Sequence, residues 1–125
     1  MPIMISDVTD LEVYQSALGL LPDVYALTKK FPNSENDLVS QLQRAAKSIP
    51  ANIAEGYARR SHEKEFKRFL KFALGSSDEI ITHLRVAQIV IPKLSPQSII
   101  LMNQYIILSK RINTLCTKWR SAKIF

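Results

Sequence analysis

The chain has 125 residues, a formal net charge of +6 and 46% apolar residues, so it is long enough to bury a core without metals or disulfides. Its one cysteine, Cys116, excludes an intrachain disulfide and is typical of the reducing cytoplasm, and the first residues lack a signal-peptide pattern. Asn103 and Gln104 interrupt the longest apolar run before it reaches the roughly 20 residues of a membrane span, so we expect a cytoplasmic protein with no membrane partner.

The first predicted helix covers residues 10–30 and ends before the Phe31-Pro32 pair, because a residue that precedes proline is biased away from helical backbone angles. Pro22 lies inside this helix, close to Gly19. Proline removes a helical hydrogen bond and glycine weakens a helix. We therefore expect this helix to bend or break over residues 18–22.

The second predicted helix begins after Asn33 or Ser34 and ends near residues 56–58. Its apolar residues recur every three or four positions, as they do in a helix with one buried face: Leu38, Leu42, Ala45, Ile49 and Ile53. Pro50 lies inside this pattern, where a proline costs about 3 kcal/mol. We expect Pro50 to bend the helix and Gly56 to end it.

The third predicted helix begins after Ser61 as its cap and runs to about Ile91, before Pro92. Ser95-Pro96 is the cap-and-proline signature of a fourth helix, which continues to about residue 119 or 120. Short connections place successive helices antiparallel. The sequence therefore predicts an all-α fold, an antiparallel up-and-down four-helix bundle that forms one domain over residues 1–125.

A polar stripe runs beside the apolar one on the second helix, at helical spacing: Gln41, Arg44, Ser48, Asn52 and Glu55. An acid, an amide and a hydroxyl on one face could suggest an active site, but no nucleophile–base pair is evident and no histidine joins the stripe. We interpret it as a buried, hydrogen-bonded structural seam, in which Arg44 and Glu55 satisfy backbone groups freed by Pro50 or pair across helices or subunits. We predict no catalytic residues.

Positive charge is concentrated in the second half of the chain. Residues 1–58 carry a net −3 and residues 59–125 a net +9, with no acidic residue after Glu79. Six of the cations cluster at the start of the third helix, and they are the predicted nucleic-acid-binding residues: Arg59, Arg60, Lys64, Lys67, Arg68 and Lys71. The simpler interpretation is a solvated face that is partly paired with Glu63 and Glu65. The interleaved Phe66, Phe69 and Phe72 are interpreted as core.

The last two helices carry more apolar residues than one buried face needs, for example over residues 99–102 and 105–108. Self-association would cover the surplus, and an irregular, fully wrapped core is the alternative. His62 and His83 lack the spacing of a helical metal pair, and no glycine-rich phosphate loop is present. We therefore expect no metal, no cofactor and no small-molecule substrate, and we interpret Cys116 as a core residue.

Several of these motifs are combined over residues 7–90 in a way that resembles a known family. They are Asp10–Gln15, Lys29–Pro32, Gln41, Arg44–Ala46, Ser48–Gly56, Arg59, Arg60, Lys64–Phe66, Arg68–Leu70 and Gly75-Ser76. The chain is similar to the bacterial 23S rRNA-intervening sequence proteins. The resemblance implies a small four-helix bundle, a homopentamer, no established chemistry and an association with nucleic acid.

Together, the residues and the resemblance predict a non-enzymatic, oligomeric bundle that binds RNA or DNA through its basic surface. The alternative is a protein-interaction module that recruits a partner such as a nucleic-acid enzyme.

Overall fold

The computed structural model describes residues 5–121, which are helical and contain no strand. The first predicted helix is broken into two shorter helices, as expected. After a 3-10 turn over Val8–Asp10, α1 spans Glu12–Gly19 and α2 spans Leu21–Thr28. Pro22 lies in the first turn of α2, where its missing amide costs no helical hydrogen bond. The proline therefore starts a new helix instead of kinking an existing one.

Helix α3 spans Asn36–Tyr57 and follows a 3-10 turn over Asn33–Glu35. It continues through Pro50, which is buried, so the proline does not end the helix. The bend that we expected at Pro50 stays a prediction.

Helix α4 spans Glu63–Val90, and α5 spans Ser95–Lys118 after a 3-10 turn over Pro92–Leu94. Both predicted caps are wrong by one position. His62, and not Ser61, precedes α4, whereas Ser95 is the first residue of α5 instead of its cap. The helices themselves lie where the sequence predicted them.

The helices pack as a four-helix bundle in which α1 and α2 together take the place of the first helix. Helix α4 packs against both α3 and α5. Ser77 meets Ser109 and Lys67 meets Cys116, so positions that rise along α4 meet positions that fall along α5, and the two helices are antiparallel. The core consists of large side chains that are almost completely buried: Val24, Leu42, Ile49, Ile53, Phe66, Leu70, Ile80, Leu84, Tyr105, Leu108 and Ile112. Each such aliphatic or phenylalanine side chain contributes about 1.5–3 kcal/mol by leaving water.

Gly56 allows a close approach between α3 and α4. A Cβ atom at this position would lie 2.7 Å from the Cβ atom of Phe69 and 3.2 Å from the carbonyl oxygen of Phe66. Gly56 does not end the helix, since α3 continues to Tyr57 and no glycine among residues 5–121 has a positive φ. The prediction of Gly56 as a stop is wrong, because its role is in packing between helices.

A buried polar network fixes the register of α4 against α5. The hydroxyl of Ser109 lies 2.7 Å from the hydroxyl of Ser77 and 2.9 Å from a carboxylate oxygen of Asp78, and Ser77 reaches the Tyr105 carbonyl oxygen at 3.3 Å. Cys116 is buried on the same helix pair, as predicted. None of the helices within residues 5–121 has the length and hydropathy that crossing a membrane requires.

Candidate nucleic-acid interface

The six predicted basic residues lie at the beginning of α4 and in the turn before it. Lys64, Arg68 and Lys71 are exposed on the outer face of α4, and Lys67 is half-buried at the edge of that face. Arg59 and Arg60 are exposed in the turn that joins α3 to α4. Five of the six predicted residues are therefore exposed, and Arg59 of the turn meets Arg68 of α4 at the Phe69 ring.

Three of these cations are paired with carboxylates. Arg59 lies 2.6 Å from Glu55, Lys67 lies 3.6 Å from Glu63 and Arg68 lies 2.9 Å from Glu65. The Ser121 amide holds the pKa of the Glu63 carboxyl below its usual value, and Arg68 does the same for Glu65. The simpler interpretation of this surface, as a partly paired face, is thus correct for half of its cations.

Lys64 and Lys71 are different, because no carboxylate of residues 5–121 lies within 4.0 Å of either ammonium group. They are separated by two helical turns and have the exposed Arg68 between them. Exposed ion pairs contribute little, so the Arg59–Glu55 and Arg68–Glu65 pairs are readily exchanged for contacts with phosphate. The surface keeps a positive excess over its carboxylates.

The aromatic residues of α4 move progressively from the core to the surface. Residues three positions apart on a helix differ by about 60° in direction, so Phe66, Phe69 and Phe72 fan out over about 120°. Phe66 is fully buried, Phe69 is half-buried and Phe72 is 47% exposed. The prediction that all three are core is wrong for Phe72, and the three-residue spacing was the signal that could have shown it.

Arginines pack on these exposed rings. The guanidinium carbon of Arg68 lies 4.8 Å from the centroid of the Phe69 ring and 5.3 Å from that of Phe72. Arg59 lies 5.2 Å from the Phe69 centroid, and the two phenylalanine rings meet edge to face at 5.7 Å. Cation–π contacts of this kind hold an arginine in place without removing its charge.

Arg60 is anchored at the end of the bundle. Its guanidinium carbon lies 4.2 Å from the centroid of the Tyr57 ring, and its carbonyl oxygen accepts a hydrogen bond from Ser121 at 2.5 Å. Beneath it, Phe66 contacts Tyr57 at 6.2 Å and Trp119 at 4.8 Å between ring centroids. The turn that carries Arg59 and Arg60 is therefore attached to the C-terminal end of α5.

The polar stripe of α3 faces α4, where it meets an acid and a histidine. A guanidinium nitrogen of Arg44 lies 2.5 Å from Glu79 Oε2, and His83 Nε2 lies 3.0 Å from the same oxygen. Arg44 therefore pairs across helices, which is one of the alternatives that we expected, whereas Glu55 pairs with Arg59 four residues later. The statement that no histidine joins the stripe is wrong, because His83 comes from the facing helix and not from α3.

Further along the stripe, the Ser48 hydroxyl lies 2.6 Å from the Ser76 hydroxyl and 2.8 Å from the Ala45 carbonyl oxygen. Asn52 Nδ2 donates to the Ser48 carbonyl oxygen at 2.9 Å. Gln41, Arg44 and Glu55 are exposed, so the prediction of a buried seam holds only for its half-buried centre, at Ser48 and Asn52. Within residues 5–121, no three side chains of His, Cys, Asp or Glu are grouped as a metal site requires.

A second basic surface lies between α1 and α5, and its cations come from the part of the chain after Glu79, which has no acidic residue. It is a cleft of about 550 Å³ with Lys110, Arg111 and Lys118 on its α5 side and Asp10 and Glu12 on its α1 side. The two carboxylates offset part of its positive charge. Its three cations exceed its carboxylates by one, whereas the six cations at α4 exceed Glu55, Glu63 and Glu65 by three, so the surface of α4 is the better candidate for an anionic partner.

Residues 9–115 match a family model described as 23S rRNA-intervening sequence protein. The match covers all five helices except the end of α5. No curated protein matches the chain.

Proposed function

The chain belongs to the family of 23S rRNA-intervening sequence proteins, and from this premise we propose that it is a non-enzymatic, oligomeric bundle protein that binds RNA through the basic surface of α4. This surface consists of Arg59, Arg60, Lys64, Lys67, Arg68 and Lys71. The observation that carries the proposal is the pair of exposed lysines, Lys64 and Lys71, on either side of Arg68. Their ammonium groups can contact phosphates without breaking an ion pair to any carboxylate of residues 5–121.

The chemistry of this surface favours the nucleic-acid backbone. Lysine and arginine side chains displace the counterions condensed on phosphates, and this release supplies most of the free energy of sequence-independent binding. Arg59 and Arg68 are already packed on the Phe69 ring, so less conformational entropy is lost when they contact phosphate. The expected affinity depends steeply on salt and weakly on sequence.

The arrangement of the polar stripe supports a non-enzymatic function. Ser48 and Ser76 bond to each other, and His83 bonds to Glu79, which Arg44 also holds. Ser76 and His83 are seven residues apart on one helix, which is a rise of about 10 Å. A hydroxyl nucleophile and its base need hydrogen-bond contact, which this spacing does not give.

Exposed apolar residues support self-association, which we propose in the form of a homopentamer. Ile89 is 77% exposed near the end of α4, and Ile100 is 63% exposed in the second turn of α5. Burial of these side chains between copies would remove them from water. A ring would also repeat the basic surface around one axis and raise its avidity for a long polyanion. The single cysteine fits a site of action in the cytoplasm.

The same apolar residues favour a second candidate, a protein-interaction module that recruits a nucleic-acid enzyme. In that case the partner protein, and not a second copy, would cover Ile89 and Ile100.

A salt titration tests the RNA-binding proposal. We expect the affinity of the wild type for a short RNA, measured by fluorescence anisotropy, to fall as salt rises, with a slope in log–log form of about −0.7 per phosphate contact on single strands. Lys64→Gln with Lys71→Gln should flatten this slope by about 1.4, since two contacts are removed. These positions are better targets than Lys67 or Arg68, which also pack against neighbouring side chains.

The matched control is Lys29→Gln with Lys30→Gln, which removes the same charge from two exposed positions just after α2. It should leave the slope unchanged. Equal flattening by both pairs would show that net charge, and not the α4 surface, governs binding. An absence of binding by the wild type at low salt would leave the protein-interaction module as the better function.

A further inference from the structure

Phe72 is an exposed aromatic ring inside the basic surface. It follows Lys71 and lies four residues, or about one helical turn, after Arg68. Its side chain remains 47% exposed even though the guanidinium group of Arg68 packs on it at 5.3 Å. A ring of this size left in water costs free energy that its burial against a ligand would recover.

The ring is also held in position. Phe69 meets it edge to face at 5.7 Å with an interplanar angle of 89°, and Arg68 contacts both rings. The Phe69 ring is also contacted by the guanidinium group of Arg59, at 5.2 Å from the ring centroid. The result is a cluster of two arginines and two phenylalanines, in which Arg68, Phe69 and Phe72 lie on α4 and Arg59 lies in the turn before it. Such a cluster loses little entropy when a flat ligand stacks on it.

Planar nucleobases are the ligands that this combination fits. Phosphates would contact Lys64 and Lys71, while an unpaired base would stack on Phe72 or on the guanidinium plane of Arg68. A base within a duplex is already stacked on its neighbours and shows its face to no side chain. Phosphate contacts alone, by contrast, do not distinguish single strands from duplexes in this way.

We propose that Phe72, with Arg68, is a base-stacking platform that gives the basic surface a preference for single-stranded nucleic acid with unpaired bases. The inference rests on the proposed function and narrows its ligand class. Because stacking involves the base and not the sugar, the platform serves RNA and single-stranded DNA alike.

The test compares Phe72→Ala with the wild type on one single-stranded RNA, on the same sequence as single-stranded DNA, and on the matching duplex. One lost stacking contact should weaken binding to both single strands by about 5- to 150-fold. Binding to the duplex and the salt slope should stay as in the wild type, because the phosphate contacts remain. Circular dichroism should show an unchanged helix content, since Phe72 is exposed.

Two further variants separate stacking from simple apolar contact. Phe72→Trp keeps an aromatic face and should retain single-strand affinity, whereas Phe72→Leu keeps apolar surface without the ring and should behave like Phe72→Ala. Single-strand affinities of Phe72→Ala equal to the wild type would overturn the platform. If the Lys64 and Lys71 variant were still defective in that case, RNA binding through phosphates would stand without stacking. An equal loss of affinity for single strands and for the duplex would also overturn the base-stacking platform.

Discussion

At the scale of single residues, Gly56 is the position where one missing methyl group decides how two helices meet. The carbonyl oxygen of Phe66 and the Cβ atom of Phe69 occupy the space that a side chain would need. Both are close to the α4 backbone, so neither moves unless the helix moves. Gly56 was predicted to end the helix, and its packing role was missed because close approach between helices leaves no periodic signal.

We expect Gly56→Ala to destabilise the fold by about 1–3 kcal/mol, the usual cost of overpacking. Gly75→Ala is the matched control. It makes the same change at an exposed position of α4, where no atom of a neighbouring element lies within 4 Å of the new Cβ. There the better helix propensity of alanine should stabilise by about 0.5–1 kcal/mol. Urea unfolding at one protein concentration measures both. A gain in stability for both variants would mean that α4 shifts away without cost.

Phe72 and His83 are two residues whose positions in the structure the sequence pattern did not predict. The apolar positions of α4 show which face of the helix is buried. Whether a residue at the border of that face is buried depends on the helices packed beside it. Phe72 lies at such a border and is 47% exposed. His83 is linked to Arg44 of the polar stripe through Glu79. This contact depends on the axial offset between α3 and α4. That offset is set by the connecting turn and the core packing, and spacing within one helix does not report it.

At the scale of elements, local chemistry determined most of the fold. Pro22 starts α2 because proline tolerates only the first turn of a helix, and the break beside it was therefore predictable. Pro50 is the contrasting case, since α3 continues through it. Here the long apolar stripe of α3 outweighs the local cost. The same residue type thus starts one helix and lies inside another.

The ends of the helices were predicted to within one or two residues, although the capping chemistry was not. Ser61 contacts His62 with its hydroxyl instead of capping α4, and no side chain caps the first turn of α4. The acidic Glu63 and Glu65 in that turn complement the helix dipole instead. They also place carboxylates beside the cations of the basic surface, which links the stability of α4 to the charge of the candidate interface.

At the scale of the whole molecule, the surplus of apolar residues on α4 and α5 is left partly at the surface. We expect light scattering at micromolar concentration to report several times the chain mass of 14.2 kDa, and five times this mass for a pentamer. Ile89→Lys with Ile100→Lys should lower the mass, because a charge at each site opposes burial between copies.

The control is Asn113→Lys with Thr117→Lys, which adds the same charge to exposed polar positions of α5 that lie more than three helical turns from Ile100. This variant should keep the mass of the wild type. A wild-type particle of 14.2 kDa would contradict self-association, and a dimer would retain it while excluding the ring.

Binding of RNA on the α4 face is tested most directly by mapping the contact. The wild type would be crosslinked by ultraviolet light to a uridine-rich single-stranded RNA of about 16 nucleotides, and the modified peptides identified by mass spectrometry. We predict crosslinks within residues 59–72, at or beside Phe72, that disappear as salt rises. Crosslinks confined to the α5 side of the cleft, around Lys110, Arg111 and Lys118, would contradict the α4 interface.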